Sequence, residues 1–437
     1  VSTAPAPASI AEIGRLAAPT VLVTFVQAIA QTVEAALIGR LGTEALAGYA
    51  LVLPLVMLMQ MTSGGAMGGG VTSAVARAIG AGRMEEAAGL VKHAVLIALG
   101  MGLLTSAIAL GLGPALFRAV GGTGPILDHA VAYASILFGG AVLVWLSNIL
   151  GAVLRGAGKM RLPAMVMSAA WVIEAPLSGF LMLGLGWGLP GAAVAYLVAF
   201  ALATAAMGLI ILRGGAGFRP RFAARLDPAL FRRILAVGGV ATAMATIANL
   251  TVVLMTALVA RHGPAAIAAY GVGVRLEFLM IPIGFGIGVA LTSLVGRRVG
   301  AGDWAGARAT AWRGGLLSAG LCGAIGVAAA VSPWPLARLF AADPAVQEAL
   351  VVFLRWVGPT FGPFGLGMSL YFACQGAGRM RWPFAASVAR LVFAVGGGWL
   401  LAAFTGAGLA GAFAAIAAGL VVYGVLVAAS VRPAIWR

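Results

Sequence analysis

Charge is scarce in this sequence. Only 9% of its 437 residues are Asp, Glu, Lys or Arg, where soluble domains carry about a quarter. That leaves too little polar surface to clothe a water-soluble globule, and it excludes a soluble enzyme and a disordered chain alike. Cysteine is nearly absent. Cys322 and Cys374 both fall inside apolar runs, so no disulfide framework is expected. The three histidines, His93, His129 and His262, lack metal-ligand spacing, and no metal site is expected. There is no HExxH, no nucleophile motif and no channel filter, and no Lys-Ser/Thr follows the glycines at 64–70, so neither an enzyme nor a cofactor is expected.

What the chain does have is apolar length. Hydrophobic residues make up 62%, in continuous rather than alternating runs, which argues for spanning helices and against an outer-membrane barrel. Apolar stretches predict an all-α membrane protein with twelve transmembrane helices, near 16–38, 46–74, 90–113, 131–153, 163–185, 190–212, 234–259, 265–295, 311–331, 348–373, 384–404 and 408–430. With the N-terminus inside, 21 of the 28 basic residues fall in cytoplasmic segments and five (Arg40, Arg118, Arg261, Arg338 and Arg355) in outer loops, while Arg275 and Arg390 lie within spans. This bias predicts an inner (cytoplasmic) cell-membrane protein with both termini cytoplasmic. It also explains the net charge of +16 without nucleic acid, because the basic residues lie between apolar runs rather than on one aromatic-laced face.

The expected organisation is a cytoplasmic tail at 1–15, a six-helix lobe at 16–212, a basic linker at 213–233, a second six-helix lobe at 234–430 and a tail at 431–437. The first fifteen residues lack the charged start and cleavage site of a secretory signal. In the linker, Asp227-Pro228 reads as an N-cap before a proline at the first helical position, and a short basic surface helix is expected to lead into the seventh span.

The two lobes repeat. Arg40-Leu-Gly-Thr-Glu-Ala-Leu-Ala-Gly-Tyr49 returns as Arg261-His-Gly-Pro-Ala-Ala-Ile-Ala-Ala-Tyr270, 221 residues later. At an offset of 220, Gly156-Ala-Gly-Lys-Met-Arg-Leu-Pro163 returns as Gly376-Ala-Gly-Arg-Met-Arg-Trp-Pro383, and Ile79-Gly-Ala-Gly82 as Val299-Gly-Ala-Gly302. Repeats with an even number of spans enter and leave on the same side, so they are expected to be pseudo-symmetric about the membrane normal. Such bundles can enclose a central cavity and open it to either side in turn.

Nine of the twelve acidic residues lie at span ends or in loops; Glu34, Glu174 and Glu277 do not. A charge facing lipid there would cost roughly 2.5–3.5 kcal/mol, so these side chains must face protein or a wet cavity. Glu34 is about five residues from the outer end of the first span, roughly 7 Å below the boundary. Gln31 and Gln27 precede it on one helical face. Glu174 is near the middle of the fifth span and Asn148 is in the inner half of the fourth. Gathered together, Glu34, Gln31 and Glu174 would form a shared-proton or sodium site; Asn148, Ser178 and Tyr196 join the cation-coupling candidates. An intramembrane glutamate can instead merely bond a neighbouring helix, and for Glu277 a local ion pair with Arg275 is an open alternative. Gln27, Glu277, Trp145 and Trp171 are candidate substrate contacts, though aromatics within spans often serve packing alone. Pro19 is a candidate hinge.

At these residues the chain resembles the multidrug and toxic compound extrusion (MATE) family. The carrying segments are Leu16-Ala-Ala-Pro19, Val33-Glu-Ala-Ala-Leu-Ile-Gly-Arg-Leu-Gly42, Ala78-Ile-Gly-Ala-Gly82, Leu154-Arg-Gly-Ala-Gly158, Ala269-Tyr-Gly-Val-Gly-Val-Arg-Leu-Glu277 and Leu294-Val-Gly-Arg-Arg-Val-Gly-Ala-Gly302. The resemblance implies two six-helix lobes and export of bulky, often cationic amphiphiles in exchange for protons or sodium, by a monomer in the lipid bilayer. It also implies a coupling acid fifteen residues after a bend-forming proline, where Glu34 and Pro19 stand. The usual residue there is Asp. In the fifth span this chain has Glu174 and Ser178 where relatives show Asn and then Asp, and the seventh span offers Asn249 and Met255 but no acid. A flippase of lipid-linked saccharides from the same superfamily is the alternative; it would need cavity arginines, for which only Arg275 and Arg390 are candidates.

Overall fold

The computed structural model describes residues 7–222, 225–278, 280–404 and 408–436. Among them, eleven helices are long and apolar enough to cross a membrane, and a twelfth span is made by two shorter helices meeting at 48°. In chain order these are α1 (Ile10–Gly39), α2 (Thr43–Gly80), α3 (Met84–Ala119), α4 (the bent pair Gly124–Gly139 and Ala141–Gly156), α5 (Arg161–Gly184) and α6 (Leu189–Leu212). They are followed by α7 (Pro228–His262), α8 (Pro264–Gly300), α9 (Trp304–Val331), α10 (Pro344–Ala377), α11 (Arg381–Ala402) and α12 (Gly408–Ser430). The twelve expected spans are all present. Several run longer than their apolar windows: α2 and α3 extend to Gly80 and back to Met84, because polar helical ends carry no hydropathy signal but still form backbone bonds.

The repeated glycine motifs are helix stops. Gly82, Gly158, Gly302 and Gly378 have φ between 72° and 79°, a left-handed conformation that favours glycine. Each is bonded back to the helix it ends, and so is the residue after it: Arg83 N–H donates to Ala78 O, Lys159 to Leu154 O, Asp303 to Arg298 O and Arg379 to Cys374 O, all at 2.9 Å. These are Schellman caps, and they recur at the same offset as the sequence repeat.

The chain divides into two compact units, Pro19–Gly239 and Val1–Ala18 with Val240–Arg437. In the N-terminal unit, Thr72 Oγ1 donates to Ala152 O at 3.0 Å, and a Cβ at Gly156 would lie 2.8 Å from Thr72 O. In the C-terminal unit, Thr292 Oγ1 donates to Phe372 O at 3.0 Å, and a Cβ at Gly376 would lie 2.5 Å from Thr292 O. The duplication is therefore visible in equivalent close crossings, one inside each unit.

The segment expected as an N-terminal tail contributes to the fold. Helix α1 starts at Ile10, Ala8 N–H donates to Thr310 Oγ1 at 3.3 Å, and Ile13 and Ala17 pack with Leu291, Ala311 and Trp436. Trp436, in the expected C-terminal tail, is fully buried, and its carbonyl accepts from Arg308 at 2.9 Å. The linker corrects a second expectation. The Asp227 carboxylate does accept from Ala229 N–H at 2.8 Å, but the helix then runs unbroken from Pro228 to Val259, so no separate surface helix precedes α7. Proline at the first turn followed by good helix formers leaves nothing to break it.

Helix α1 is loosely packed. Only 17% of its apolar window is buried inside the protein, against 22% for α3 and α11 and 69% for α8.

Gly156→Ala and Gly376→Ala should each destabilise by about 1–3 kcal/mol, because the added methyl forces two backbones apart. Gly39→Ala, where nothing lies within 4 Å of the new Cβ, should cost nothing. Thermal unfolding in one detergent compares the three.

Candidate cation-coupling site

Two carboxyl groups meet inside the N-terminal unit. Helix α1 carries Glu34, 2% exposed, and α5 carries Glu174, fully buried. The two side chains are within electrostatic reach of each other. Tyr49 Oη, on α2, donates to Glu34 Oε2 at 3.2 Å. The Tyr49 ring stands edge-on to Tyr133 at 5.4 Å, and Tyr133 and Tyr196 are within electrostatic reach of both carboxyls. Among the described residues, Glu34 Oε1, both Glu174 oxygens and Ser178 Oγ have no protein donor or acceptor in bonding geometry, and no ion pair joins either glutamate to a basic side chain. Two facing carboxyls without a counter-charge must take up protons or hold a small cation between them.

A polar chain leads away from this pair. Gln60 Nε2 donates to Tyr196 Oη at 2.5 Å, and Asn148 Nδ2 donates to Gln60 Oε1 and to Ser63 Oγ, both at 2.9 Å. Ser63 belongs to a π-helical turn, Met61–Met67, set within α2. π-turns in membrane and soluble helices tend to mark functional positions, because they cost backbone regularity. Gly64 makes room here, since a Cβ would lie 3.3 Å from Asn148 Oδ1. An apolar groove of about 620 Å³ runs between α1 and α5, lined by Val26, Val33, Leu37, Trp171 and Pro176 among others.

Of the sequence candidates, Glu34, Glu174 and Tyr196 converge; Ser178 is buried one helical turn from Glu174. Asn148 reaches them through Gln60. Gln31 and Gln27 are only partly buried, and among the described residues no hydrogen bond ties them to the carboxyls. Trp171 flanks the groove and stands edge-on to Tyr196 at 5.8 Å. Trp145, expected as a substrate contact, is 1% exposed and donates to Thr105 Oγ1 at 3.1 Å, which makes it a packed core residue. Glu277 lies in the C-terminal unit, and the cation within its electrostatic reach is Arg390 rather than Arg275; the two arginines sit on different helices, and Arg275 is exposed.

Sequence reasoning missed Tyr49, Tyr133 and Gln60. Tyr49 stood in plain view as the last residue of the first repeat match. Gln60 is the one amide in an otherwise apolar stretch of α2, a signal as strong as the one that singled out Asn148.

This architecture has solved counterparts. A MOP superfamily transporter from Pyrococcus furiosus, described as having a binding pocket of reverse polarity that suggests a different function, superposes with a TM-score of 0.89 at 23% identity, covering 97% of this chain and 95% of that one. The Vibrio cholerae MATE transporter VcmN in its bent form gives 0.89 at 22%, covering 98% and 97%. Among curated relatives, a protein named probable multidrug resistance protein NorM, from Bradyrhizobium diazoefficiens, is 27% identical over 94% of this chain and 90% of its own length. A protein named FAD transporter, from Shewanella oneidensis, is 26% identical over 75% and 74%. The family model described as MatE matches residues 19–180 and 233–400, well over half of the sequence and on both sides of the linker. Twelve spans in a duplicated frame and this two-part match have one reading: the chain belongs to the MatE family of multi-pass membrane transporters.

Proposed function

We propose that this transporter is a secondary active multidrug exporter, exchanging amphiphilic cations for protons by alternating access. The observation that carries the reading is the Glu34–Glu174 pair: two buried carboxyls facing each other, with tyrosine hydroxyls around them and no basic partner. A proton entering from outside is shared by the pair and cancels one of its two negative charges. Its loss leaves two like charges buried in electrostatic reach of each other, and their repulsion drives α1 away from α5. Helix α1 is suited to that movement, being sparsely packed, bordered by an apolar groove and interrupted at Pro19, whose missing N–H leaves a backbone carbonyl one turn earlier without its helical partner. One-for-one exchange of a proton for a monovalent cation moves no net charge, so the pH gradient alone drives it, and each pH unit, about 1.4 kcal/mol, sustains a substrate gradient of about tenfold.

The relatives named NorM support the multidrug reading, and the acidic, aromatic-lined site suits cations better than anions. The concentration of 21 of the 28 basic residues on one side of the span pattern supports an inner-membrane protein with cytoplasmic termini. We take the working unit to be the monomer, as each unit contains its own core. The similarity to the FAD transporter favours a second reading, export of an anionic dinucleotide. Proteoliposomes loaded with ethidium or with FAD separate the two: ethidium export that depends on the pH gradient supports the first, and FAD export without ethidium export replaces it.

In that assay the E34Q/E174Q double variant should lose at least about tenfold in dye flux, equivalent to about 1.4 kcal/mol, and its residual flux should ignore the pH gradient. Full, gradient-driven flux in this variant overturns the coupling site. If sodium rather than a pH gradient drives wild-type flux, the same oxygens hold sodium instead.

Pro19→Ala restores the helical backbone bond and stiffens α1. Dye binding should remain near wild type while flux falls several-fold, a split between affinity and turnover that a folding defect does not produce.

A further inference from the structure

The linker before α7 is fastened to the start of α3. The Asp227 backbone N–H donates to His93 Nε2 at 2.9 Å, while His93 Nδ1 bonds Gly89 O at 2.8 Å and its ring stands edge-on to Phe231 at 4.7 Å. Arg221 N–H donates to Ala88 O at 3.4 Å, and its guanidinium pairs with Glu85 at 3.0 Å. Arg83 pairs with Glu86 at 3.0 Å, and Arg233 pairs with the same carboxylate. Arg77, at the end of α2, is within electrostatic reach of both Arg83 and Arg233. Two guanidinium groups thus share the Glu86 carboxylate, a third pairs with the adjacent Glu85, and Arg77 lies close by, so four positive charges meet two negative ones.

Two properties distinguish this cluster from a generally basic loop. The side chains of Arg83, Arg221 and Arg233 remain 54%, 57% and 43% exposed even though they are paired, so their remaining N–H donors point outwards. Beside them, Phe222 and Leu226 are 47% and 55% exposed. Bulky apolar side chains interleaved with arginines next to a span end are the chemistry of a segment seated at the headgroup level of a bilayer, and such basic clusters attract anionic headgroups. Guanidinium groups match phosphate oxygens in geometry as well as charge.

We infer that this end of the N-terminal unit binds an anionic phospholipid, its phosphate held by Arg83, Arg221 and Arg233 and its upper acyl chains covered by Phe222 and Leu226. The site stands independently of the transport reading, since it uses none of the coupling residues. The lipid would fasten the linker to α2 and α3, supplying the negative charge that Glu85 and Glu86 leave wanting.

The test uses the full chain in detergent, offered equal amounts of phosphatidylglycerol and phosphatidylcholine with matched acyl chains, with retained lipid read by native mass spectrometry. Phosphatidylglycerol should be retained preferentially, and R83Q/R221Q should reduce the preference about fivefold per arginine removed. Should the double variant fold poorly, R221Q alone changes only an exposed side chain and should show the single step. E86Q, which frees two guanidinium groups from an internal carboxylate, should raise the preference, an outcome that loss of a merely structural ion pair does not give. F222S should lower retention of both lipids while leaving their ratio. Equal retention of the two lipids by the wild-type chain, an unchanged ratio in R221Q, a lowered ratio in E86Q, or a melting shift with inorganic phosphate as large as that with phosphatidylglycerol would each overturn the site.

Discussion

The N-terminal unit is organised around a charge that has nowhere to go. A carboxylate at the depth of the hydrocarbon core must be neutralised, paired or hydrated, and Glu34 and Glu174 are placed so that each denies the other the first two unless a proton or cation is shared. Tyr49 supplies one hydroxyl to Glu34; the remaining oxygens are left for whatever arrives. A site satisfied completely by the protein would be stable and inert. Where stability is conditional on occupancy, as the proposed coupling requires here, a bound ion can select between packings of α1.

That conditional contact sits beside an element with little else to hold it. Most helices in this unit are locked by close backbone crossings such as Gly70 against Gly238 and Gly156 against Thr72, whereas α1 keeps its apolar face largely outside the protein. A few kcal/mol at the carboxyl pair therefore has leverage over α1 that it would not have over α8. The boundary between the compact units falls at Ala18–Pro19, so the residue without a backbone donor is also where α1 changes allegiance.

Much of the fold was legible because lipid simplifies the code: apolar length gives the spans, arginine placement gives their expected orientation, and repeated Gly-Ala-Gly motifs give the helix stops. The convergence of Glu34 and Glu174 was legible too, since an acid in a span has few alternatives. What the sequence did not reveal was the third dimension of each helix. Gln31 shares a face with Glu34 by period, yet no bond joins it to the pair, while Tyr49 and Gln60 on the neighbouring helix supply the contacts. Trp145 and Trp171 look alike as letters; one donates to Thr105 within the core and the other flanks a groove. Periodicity ranks faces of one helix, but partner choice depends on interhelical rotation, which leaves no mark in a single sequence.

The duplication offers an internal control for what the polar site is for. At the repeat offset of 221, Glu34 corresponds to Met255, and at 220, Glu174 corresponds to Ala394 and Asn148 to Met368. The frame around them persists: Tyr49 and Tyr133 are edge-on at 5.4 Å, and their counterparts Tyr270 and Phe353 are edge-on at 6.2 Å. Met255, Tyr270, Phe353 and Ala394 belong to one buried apolar cluster. The same scaffold therefore packs well with methionine, alanine and phenylalanine where the N-terminal unit has glutamates, an amide and a tyrosine. Apolar packing is the cheaper solution in a membrane-embedded bundle, so the N-terminal set is not required by the fold. Its presence in one half alone points to chemistry, and the acids proposed for coupling stand on α1 and α5 rather than on their counterparts α7 and α11.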